Sequence, residues 1–367
     1  MPKPADGNSE VSPIFIETAK TTTLQDAMEN LRENRVVYVG ETHTSLSDHE
    51  LQLEVLKAMV AQGGPLAVGV EWFQRPFQKV LDRYVAGEID EHQMLRETEY
   101  FQRWGFDYRL YRDILRFARD NSIPVLALNA SRELTDEIRK HGLDALPDAI
   151  QAQKPDGYDF DDQQYAEYLK GVFEQHIPRM RGPDDPDAFQ RFLQVQLTWD
   201  ESMAQTAADY LKDNPEARLL VLAGRGHTHN AAIPRRLTRR TDLVGVSIGT
   251  YEPNSPFDKP DYMVLQKERR LPPQGLIGVG LAERDEGVVI TSISAGSHAK
   301  EAGVRVGDRV VMVDDTKIED YLDIKLSMMN RLPGETLRLK LTRDGWFGGG
   351  REVDAKVKLI ARGGMQP

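Results

Sequence analysis

Short, continuous apolar segments separated by helical stretches most constrain the fold of the first two thirds of this chain. The segments lack the alternation of half-exposed strands, and the stretches between them carry apolar residues at helical spacing. Strands that are buried on both faces and alternate with helices are typical of a mostly parallel sheet flanked by helices. The sequence therefore predicts an α/β domain. Its predicted strands are residues 36–40, 66–70, 124–128, 218–223 and 243–248, with a short candidate last strand at 262–265.

The sequence predicts helical structure in at least three stretches of this domain. The longest pattern covers about residues 188–213. Another is predicted to begin at Ser47, where Glu50 would complete a capping box. The polar, aromatic segment 74–106 is interpreted as a helical cap over the edge of the sheet.

The composition changes around residues 251–274, where proline and charged residues dominate, and we place a domain boundary there. Beyond it, short strands and turn residues predict a small, partly open β-barrel with two short helices, at 298–302 and about 319–331. The resulting division is a tail at 1–23, an α/β domain at 24–270 and a β domain at 271–367.

The composition excludes several classes of protein and site. Aspartate and glutamate number 58 against 47 lysines and arginines, a net charge of −11, which disfavours a nucleic-acid partner. No run of about 18 apolar residues is present, so no transmembrane span is expected. The absence of cysteine excludes disulfides, thiolate nucleophiles and iron–sulfur clusters.

Polar residues follow three of the predicted strands. Because ligands in open α/β sheets bind at the carboxyl ends of the strands, these residues are expected to share one site. Imidazole and carboxylate together suit a divalent transition metal, and they also form an acid–base set. The candidates are Glu41 and His43 after the first strand, Glu71 after the second, and Arg225, His227 and His229 after the strand at 218–223.

Simpler interpretations exist for each residue taken alone. A single histidine after a strand is more often a surface or core residue, and Glu71 could form an ordinary buried ion pair with Arg225. The presence of carboxylate or imidazole residues after three separate strands nevertheless favours a shared site. His49, His92 and His141 lie on polar helical stretches and are expected to be solvated.

Four motifs carry a resemblance to a known family: GETH after the first strand, the strand that ends at Glu71, the helix LTWDESMAQTAADYL, and AGRGH. Together, over about residues 24–265, they resemble the ChaN-like haem-uptake family, whose superfamily includes the Tiki metallopeptidases, TraB-like proteins and erythromycin esterases. The resemblance implies a pocket formed by Glu41, His43, Glu71 and His227, with Asp200 as a supporting residue.

The ChaN resemblance implies a periplasmic or surface-attached protein, such as a lipoprotein anchored through its precursor, that handles haem iron in uptake. It also implies a tyrosine iron ligand soon after GRGH, where this chain has THNAAIP. His229, or Tyr100, Tyr108 or Tyr111 of the cap, is then the candidate ligand. The Tiki and esterase resemblances imply hydrolysis instead, with Glu and His activating water directly or through a metal.

The C-terminal part resembles PDZ domains of the bacterial periplasmic-protease type. Its motifs are LIGV, SHAKEAGVRVGDRVVMVDD and the helix DYLDIKLSMMNRL. The resemblance implies that Leu276, Ile277, Gly278 and Val279 capture a peptide's carboxylate with backbone N–H groups, while the strand edge pairs with the peptide.

The sequence thus favours an envelope-associated protein that binds haem iron or a divalent metal in its first domain and docks a partner's peptide in its second. The first alternative is a metal-dependent hydrolase that uses Glu41, His43, Glu71 and His227. The second is a non-catalytic adaptor whose first site is degenerate.

Overall fold

The contacts of the chain form two compact units, residues 1–270 and 271–367. The computed structural model describes residues 14–17, 20–176, 185–251, 259–344 and 350–361. Within these residues, no helix combines the length and the hydropathy needed to cross a membrane.

An eight-stranded sheet forms the centre of the first unit. Its order is β2-β1-β8-β7-β3-β6-β4-β5, and the six strands from β8 to β5 run parallel. This mostly parallel, helix-flanked sheet confirms the fold predicted from the buried apolar segments. The strands are β1 (Ile14–Glu17), β2 (Lys20–Thr22), β3 (Val36–Glu41), β4 (Leu66–Gln74), β5 (Val125–Asn129), β6 (Arg218–Gly224), β7 (Val246–Thr250) and β8 (Tyr262–Leu265).

Helices connect and cover these strands. The longest, α10, packs Met203, Ala204 and Ala207 against the apolar side chains of the sheet, and the small alanines let the helix approach closely. The helices are α1 (Leu24–Asn30), α2 (Leu46–Ala61), α3 (Gln78–Val85), α4 (Glu91–Glu97), α5 (Tyr100–Arg103), α6 (Arg112–Asp120), α7 (Arg132–His141), α8 (Asp148–Gln151), α9 (Gln163–His176), α10 (Ala188–Asp213), α11 (Arg225–Thr228) and α12 (Ile233–Thr241).

Two local predictions for the first unit are wrong. Residues 14–17 and 20–22, assigned to a tail, pair as strands, and β1 extends the sheet antiparallel to β8; residues 1–13 of that tail lie outside the described residues. Helix α2 begins at Leu46 with Ser45 as its N-cap, rather than at Ser47, because the Ser45 hydroxyl accepts a hydrogen bond from the Asp48 N–H at 3.3 Å.

The second unit is mainly an antiparallel sheet, as the β-rich pattern predicts, and its described residues contain one of the two predicted helices. Its sheet order is β10-β11-β12-β14-β15, with β10 at one edge, while β9 pairs with β16 separately. Residues 298–302 form hydrogen-bonded turns where a short helix was predicted. The elements are β9 (Gly275–Leu276), β10 (Val279–Arg284), β11 (Gly287–Ile293), β12 (Arg309–Val313), β13 (Thr316–Lys317), α13 (Tyr321–Met328), β14 (Thr336–Asp344), β15 (Gly350–Lys358) and β16 (Ile360–Ala361).

We expect residues 271–367 to fold alone, because they enclose an apolar core of their own that includes Ile290, Leu337, Leu341 and Val357. The isolated fragment should unfold cooperatively in thermal denaturation followed by circular dichroism. A Leu341→Asp fragment, which buries a carboxylate in that core, should not fold. Non-cooperative melting of the unaltered fragment would contradict the division at residue 271.

Candidate functional site

The register of three adjacent parallel strands places the predicted site residues side by side. Glu41 at the end of β3 is aligned with Gly224 at the end of β6. On the other side of β6, Val70 of β4 is aligned with Leu222, so Glu71 emerges at the same edge. The chain then continues from β6 into the short helix α11, which carries His227.

The first imidazole of the site is fixed by the carboxylate that precedes it. His43 Nδ1 lies 2.5 Å from Glu41 Oε1, and Glu41 is buried. The ring also packs against Trp104 and Phe106, with ring centroids 4.9 and 4.5 Å away. With Nδ1 bonded to Glu41, Nε2 is the ring nitrogen left for a ligand.

The second imidazole is held in the same way by a residue from α10. His227 Nδ1 lies 2.6 Å from Oδ1 of the fully buried Asp200. Its Nε2 lies 3.4 Å from Glu71 Oε1. The other oxygen of Asp200 accepts a hydrogen bond from the Tyr165 hydroxyl at 2.5 Å.

Glu71 lies between the two imidazoles, and Gly224 makes room for them. The Gly224 N–H donates to Glu71 Oε2 at 2.7 Å. A Cβ at position 224 would come within 2.7 Å of His43 Cε1, so a side chain there would displace the ring. Ligand atoms of Glu41, His43 and Glu71 all lie within 4.8 Å of one another, a spacing that can hold a metal ion.

The carboxylates raise the pKa of both imidazoles. Burial alone would lower the pKa of His227, but the charges of Glu71 and Asp200 and the hydrogen bond to Asp200 raise it to about 9. Burial opposes protonation of His43 as well, yet its hydrogen bond to Glu41 and the charge of Glu71 raise its pKa. The His227 ring therefore favours the charged form near neutral pH, and metal binding to it would release a proton.

A cavity of about 310 Å³ opens above the cluster. His43, Glu71 and His227 line it, together with Trp72, Trp104 and Trp199. The cavity thus combines nitrogen and oxygen donors with aromatic walls.

Three predicted site residues are not among the described residues that line this cavity: Glu41, which contacts the lining residue His43, and Arg225 and His229. His229 is buried against Tyr168 and Tyr165, with ring centroids 4.8 and 6.4 Å away, and it is not among the described residues that line the cavity. Arg225 is also absent from that lining, and its side chain lies over Gly40, where a Cβ would come within 3.2 Å of its Cγ. The small residue at position 40 thus lets α11 approach β3.

The tyrosines of the cap are core residues. Tyr100, Tyr108 and Tyr111 are at most 1% exposed, and burial raises the pKa of each hydroxyl. The ring of Tyr111 packs against His49 and Trp72. None of the three hydroxyl-bearing residues is among the described residues that line the cavity, so the structure does not support them as iron ligands.

The prediction that His49 is solvated is wrong. His49 is 2% exposed, and its Nε2 lies 3.8 Å from Glu41 Oε2. Its Nδ1 lies 3.1 Å from Gln52 Oε1, while the Gln52 amide donates to the Val39 carbonyl. The helical spacing of His49, Gln52 and the buried Leu56 marks one face of α2, and this periodicity could have revealed the burial.

Tyr165 was also missed, and no sequence signal pointed to it. It lies on α9, 35 residues before Asp200. Only the packing of α9 against α10 brings its hydroxyl to that carboxylate.

Comparisons with known proteins match each unit separately. Residues 27–237 match the family model described as "Haem-binding uptake, Tiki superfamily, ChaN". Residues 275–359 match the PDZ domain. A solved structure, "Cofacial heme binding to ChaN of Campylobacter jejuni", has a TM-score of 0.56 and 17% identity, and the match covers 70% of this chain and 98% of that chain.

Curated relatives share a shorter segment. A probable periplasmic serine endoprotease DegP-like of Bartonella henselae is 38% identical over 81 residues, which are 22% of this chain and 15% of the relative. A serine protease Do-like HtrA of Lactobacillus helveticus is 32% identical over 73 residues, 20% of this chain and 16% of the relative. This chain therefore spans only about a sixth of the length of these proteases.

The raised pKa of His227 predicts a pH dependence of stability in the metal-free protein. The pKa of His227 is about 9 in the folded protein and 6.5 for the free residue. The ion pairs of protonated His227 therefore contribute fully to the free energy of unfolding below pH 6.5, and this contribution is lost as the pH rises through 9. Its upper bound is roughly 3 kcal/mol. Urea unfolding of metal-free protein between pH 6 and 9.5 should show the loss, and His227→Gln should reduce it.

The exposed His141 provides the control, since His141→Gln should leave the pH profile unchanged. A wild-type stability that stays constant through this range would contradict the ion-pairing of His227 with Glu71 and Asp200.

Proposed function

Because this chain belongs to the haem-binding uptake family of the Tiki superfamily that includes ChaN, and because it carries a PDZ domain, we propose that it binds haem iron or a divalent metal and docks a partner peptide. The observation that carries the proposal of haem or metal binding is that His43 and His227 are held in the same way. Each ring is fixed through Nδ1 by a buried carboxylate and keeps Nε2 for a ligand beside Glu71.

The residues present fit such a group. His43, Glu71 and His227 would hold the metal, because two imidazoles and one carboxylate are a common ligand set for divalent transition metals. Glu41 and Asp200 would orient the imidazoles and increase their basicity, as outer carboxylates do in metal sites. The three tryptophans that line the cavity offer flat apolar surfaces to a macrocycle. A bound metal would supply a Lewis-acidic centre.

A metal-dependent hydrolase is the second candidate, and the carboxylates beside the imidazoles favour it. A carboxylate next to a metal ligand can act as general base toward an attacking water. The same cluster would then act on a substrate in the cavity, and the PDZ domain would recruit that substrate.

The geometry of the second unit supports peptide docking. Strand β10 lies at a sheet edge, where an extended peptide can add as a further strand. The preceding loop is held in shape: the Ser294 N–H donates to the Gly278 carbonyl at 2.9 Å and the Ser297 hydroxyl donates to the Ile277 carbonyl at 3.0 Å. Gly278 has φ +76°, a conformation that favours glycine.

The proposed location is the cell envelope. Similarity to a protease named as periplasmic supports it, as does membership of a haem-uptake family. We propose no protease activity by analogy, because the relatives' similarity covers only 15% and 16% of their length.

The cluster should bind its ligand through both imidazoles. Protein purified without added ligand should contain haem or a divalent metal, or take up ferric protoporphyrin IX, Zn²⁺ or Co²⁺ stoichiometrically. His43→Gln and His227→Gln should abolish tight binding, and Asp200→Asn should weaken it about 10- to 100-fold by freeing the His227 ring. Absorption spectra, elemental analysis and titration calorimetry measure these effects.

The exposed His92 allows a matched control, and His92→Gln should bind like the wild type. Metal-dependent hydrolysis of ester or peptide substrates that disappears in Glu41→Gln would favour the hydrolase over the binding protein. Binding of neither metal nor haem would favour the adaptor.

The PDZ groove should bind peptides with an apolar C-terminal residue, with Kd near micromolar, about −8 kcal/mol. Gly278→Ala should abolish binding, because its Cβ would come within 2.7 Å of Ser297 Cβ. Gly296→Ala is the matched control: its φ is +78°, yet no described atom lies within 4 Å of its Cβ position. Fluorescence polarisation measures both, and a peptide library without C-terminal preference would argue against carboxylate capture.

A further inference from the structure

We propose that the outer part of the cavity is a subsite for carboxylate or phosphate groups of the ligand whose metal centre lies at His43, Glu71 and His227. This inference rests on the proposed function and extends it to the chemistry of the rest of the ligand. It is carried by the placement of three arginines and by the sharing of one carboxylate, Asp136, between two of them.

One face of α7 forms this outer wall. Arg132, Thr135, Asp136 and Arg139 all line the cavity, and their spacing of three, four and seven residues places them on the same side of the helix. Arg103 lines the same part of the cavity from α5. The wall therefore presents three guanidinium groups and one carboxylate.

The pairing differs among the three arginines. Arg103 forms a two-point interaction with Glu133, at 2.8 and 3.1 Å, and its Nε donates to Glu99 at 2.8 Å, so its charge is compensated. Arg132 and Arg139 instead share one carboxylate, Asp136: Arg132 Nε lies 3.8 Å from it, and Arg139 contacts it directly. One carboxylate cannot neutralise two guanidinium groups, so this pair can accept a further anion.

The charge is separated along the depth of the cavity. At its floor, the side chains of Glu71 and His227 are 5% and 13% exposed. At its mouth, those of Arg132 and Arg139 are 52% and 41% exposed. A floor of imidazole and carboxylate donors and a mouth where Arg132 and Arg139 share one carboxylate match a ligand with a metal centre at one end and acidic groups at the other.

Gln74 links the two regions. Its side-chain oxygen accepts hydrogen bonds from Arg103 Nη1 at 2.8 Å and from the Arg132 N–H at 3.0 Å, which fixes the start of α7 beside α5. Gln74 and Glu71 both lie on β4, three residues apart, so the start of α7 lies beside a residue about 10 Å along the strand from the cluster. A ligand of macrocycle size can span this separation.

The proposed binding of the ligand's acidic groups can be tested with a ligand whose carboxylates are esterified and therefore uncharged. Ferric protoporphyrin IX and its dimethyl ester would be titrated into the full chain and followed by the Soret band. We expect the wild type to prefer the acid about tenfold or more, because each charge-assisted hydrogen bond to a guanidinium is strong. The double variant Arg132→Gln with Arg139→Gln should bind acid and ester equally. Arg32→Gln, which removes an exposed arginine elsewhere, should keep the wild-type preference.

A second titration covers anions that do not belong to a porphyrin. Inorganic phosphate and succinate would be added to the protein as purified, with calorimetry on the wild type and the double variant. Anion binding by the wild type that is lost in the double variant supports the subsite, whether or not the wild type takes up haem. Absence of haem uptake by the wild type would count only against haem as the ligand. Equal affinity for acid and ester in the wild type, or anion binding that is absent or indifferent to the two arginines, overturns the subsite while leaving the metal cluster intact.

Discussion

Hydrogen-bonded pairing of buried carboxylates with imidazoles is the interaction on which this site depends. Glu41 and Asp200 are almost fully buried, and an unpaired buried carboxylate is costly. Each is compensated by the Nδ1 of a histidine, which fixes the orientation of that ring. The same bonds that make the burial tolerable therefore fix both rings, which line the cavity together with Glu71.

The parallel sheet makes this pairing possible. Strands β3, β6 and β4 are neighbours, so the residues at their carboxyl ends meet although they are far apart in sequence. Gly224 lies at the meeting point, where a side chain would collide with His43. Helix α10 packs on the sheet through small residues and brings Asp200 beneath His227. The site is thus built mainly from regular elements, which suits preorganised binding.

A deeper layer of polar residues supports the two carboxylates. His49 approaches the free oxygen of Glu41 at 3.8 Å, and the Tyr165 hydroxyl donates to the second oxygen of Asp200. Tyr165 is itself covered by the guanidinium of the buried Arg236, 4.1 Å from its ring centroid. The bond from Tyr165 restricts the motion of Asp200 and so that of the His227 ring, while His49 lies near Glu41 without a hydrogen bond to it.

The buried apolar segments predicted the α/β sheet and put Glu41, His43, Glu71 and His227 just after strands, because strand pattern and position along the chain are local properties. The PDZ domain was predicted from the resemblance of its motifs. Which neighbouring side chains meet depends on the tertiary structure. His227 and His229 are two residues apart, yet the turn of α11 directs one ring to the cavity and the other into the core. The burial of His49 and the contact of Tyr165 with Asp200 depend on helix packing, and packing partners are not encoded in the local sequence pattern.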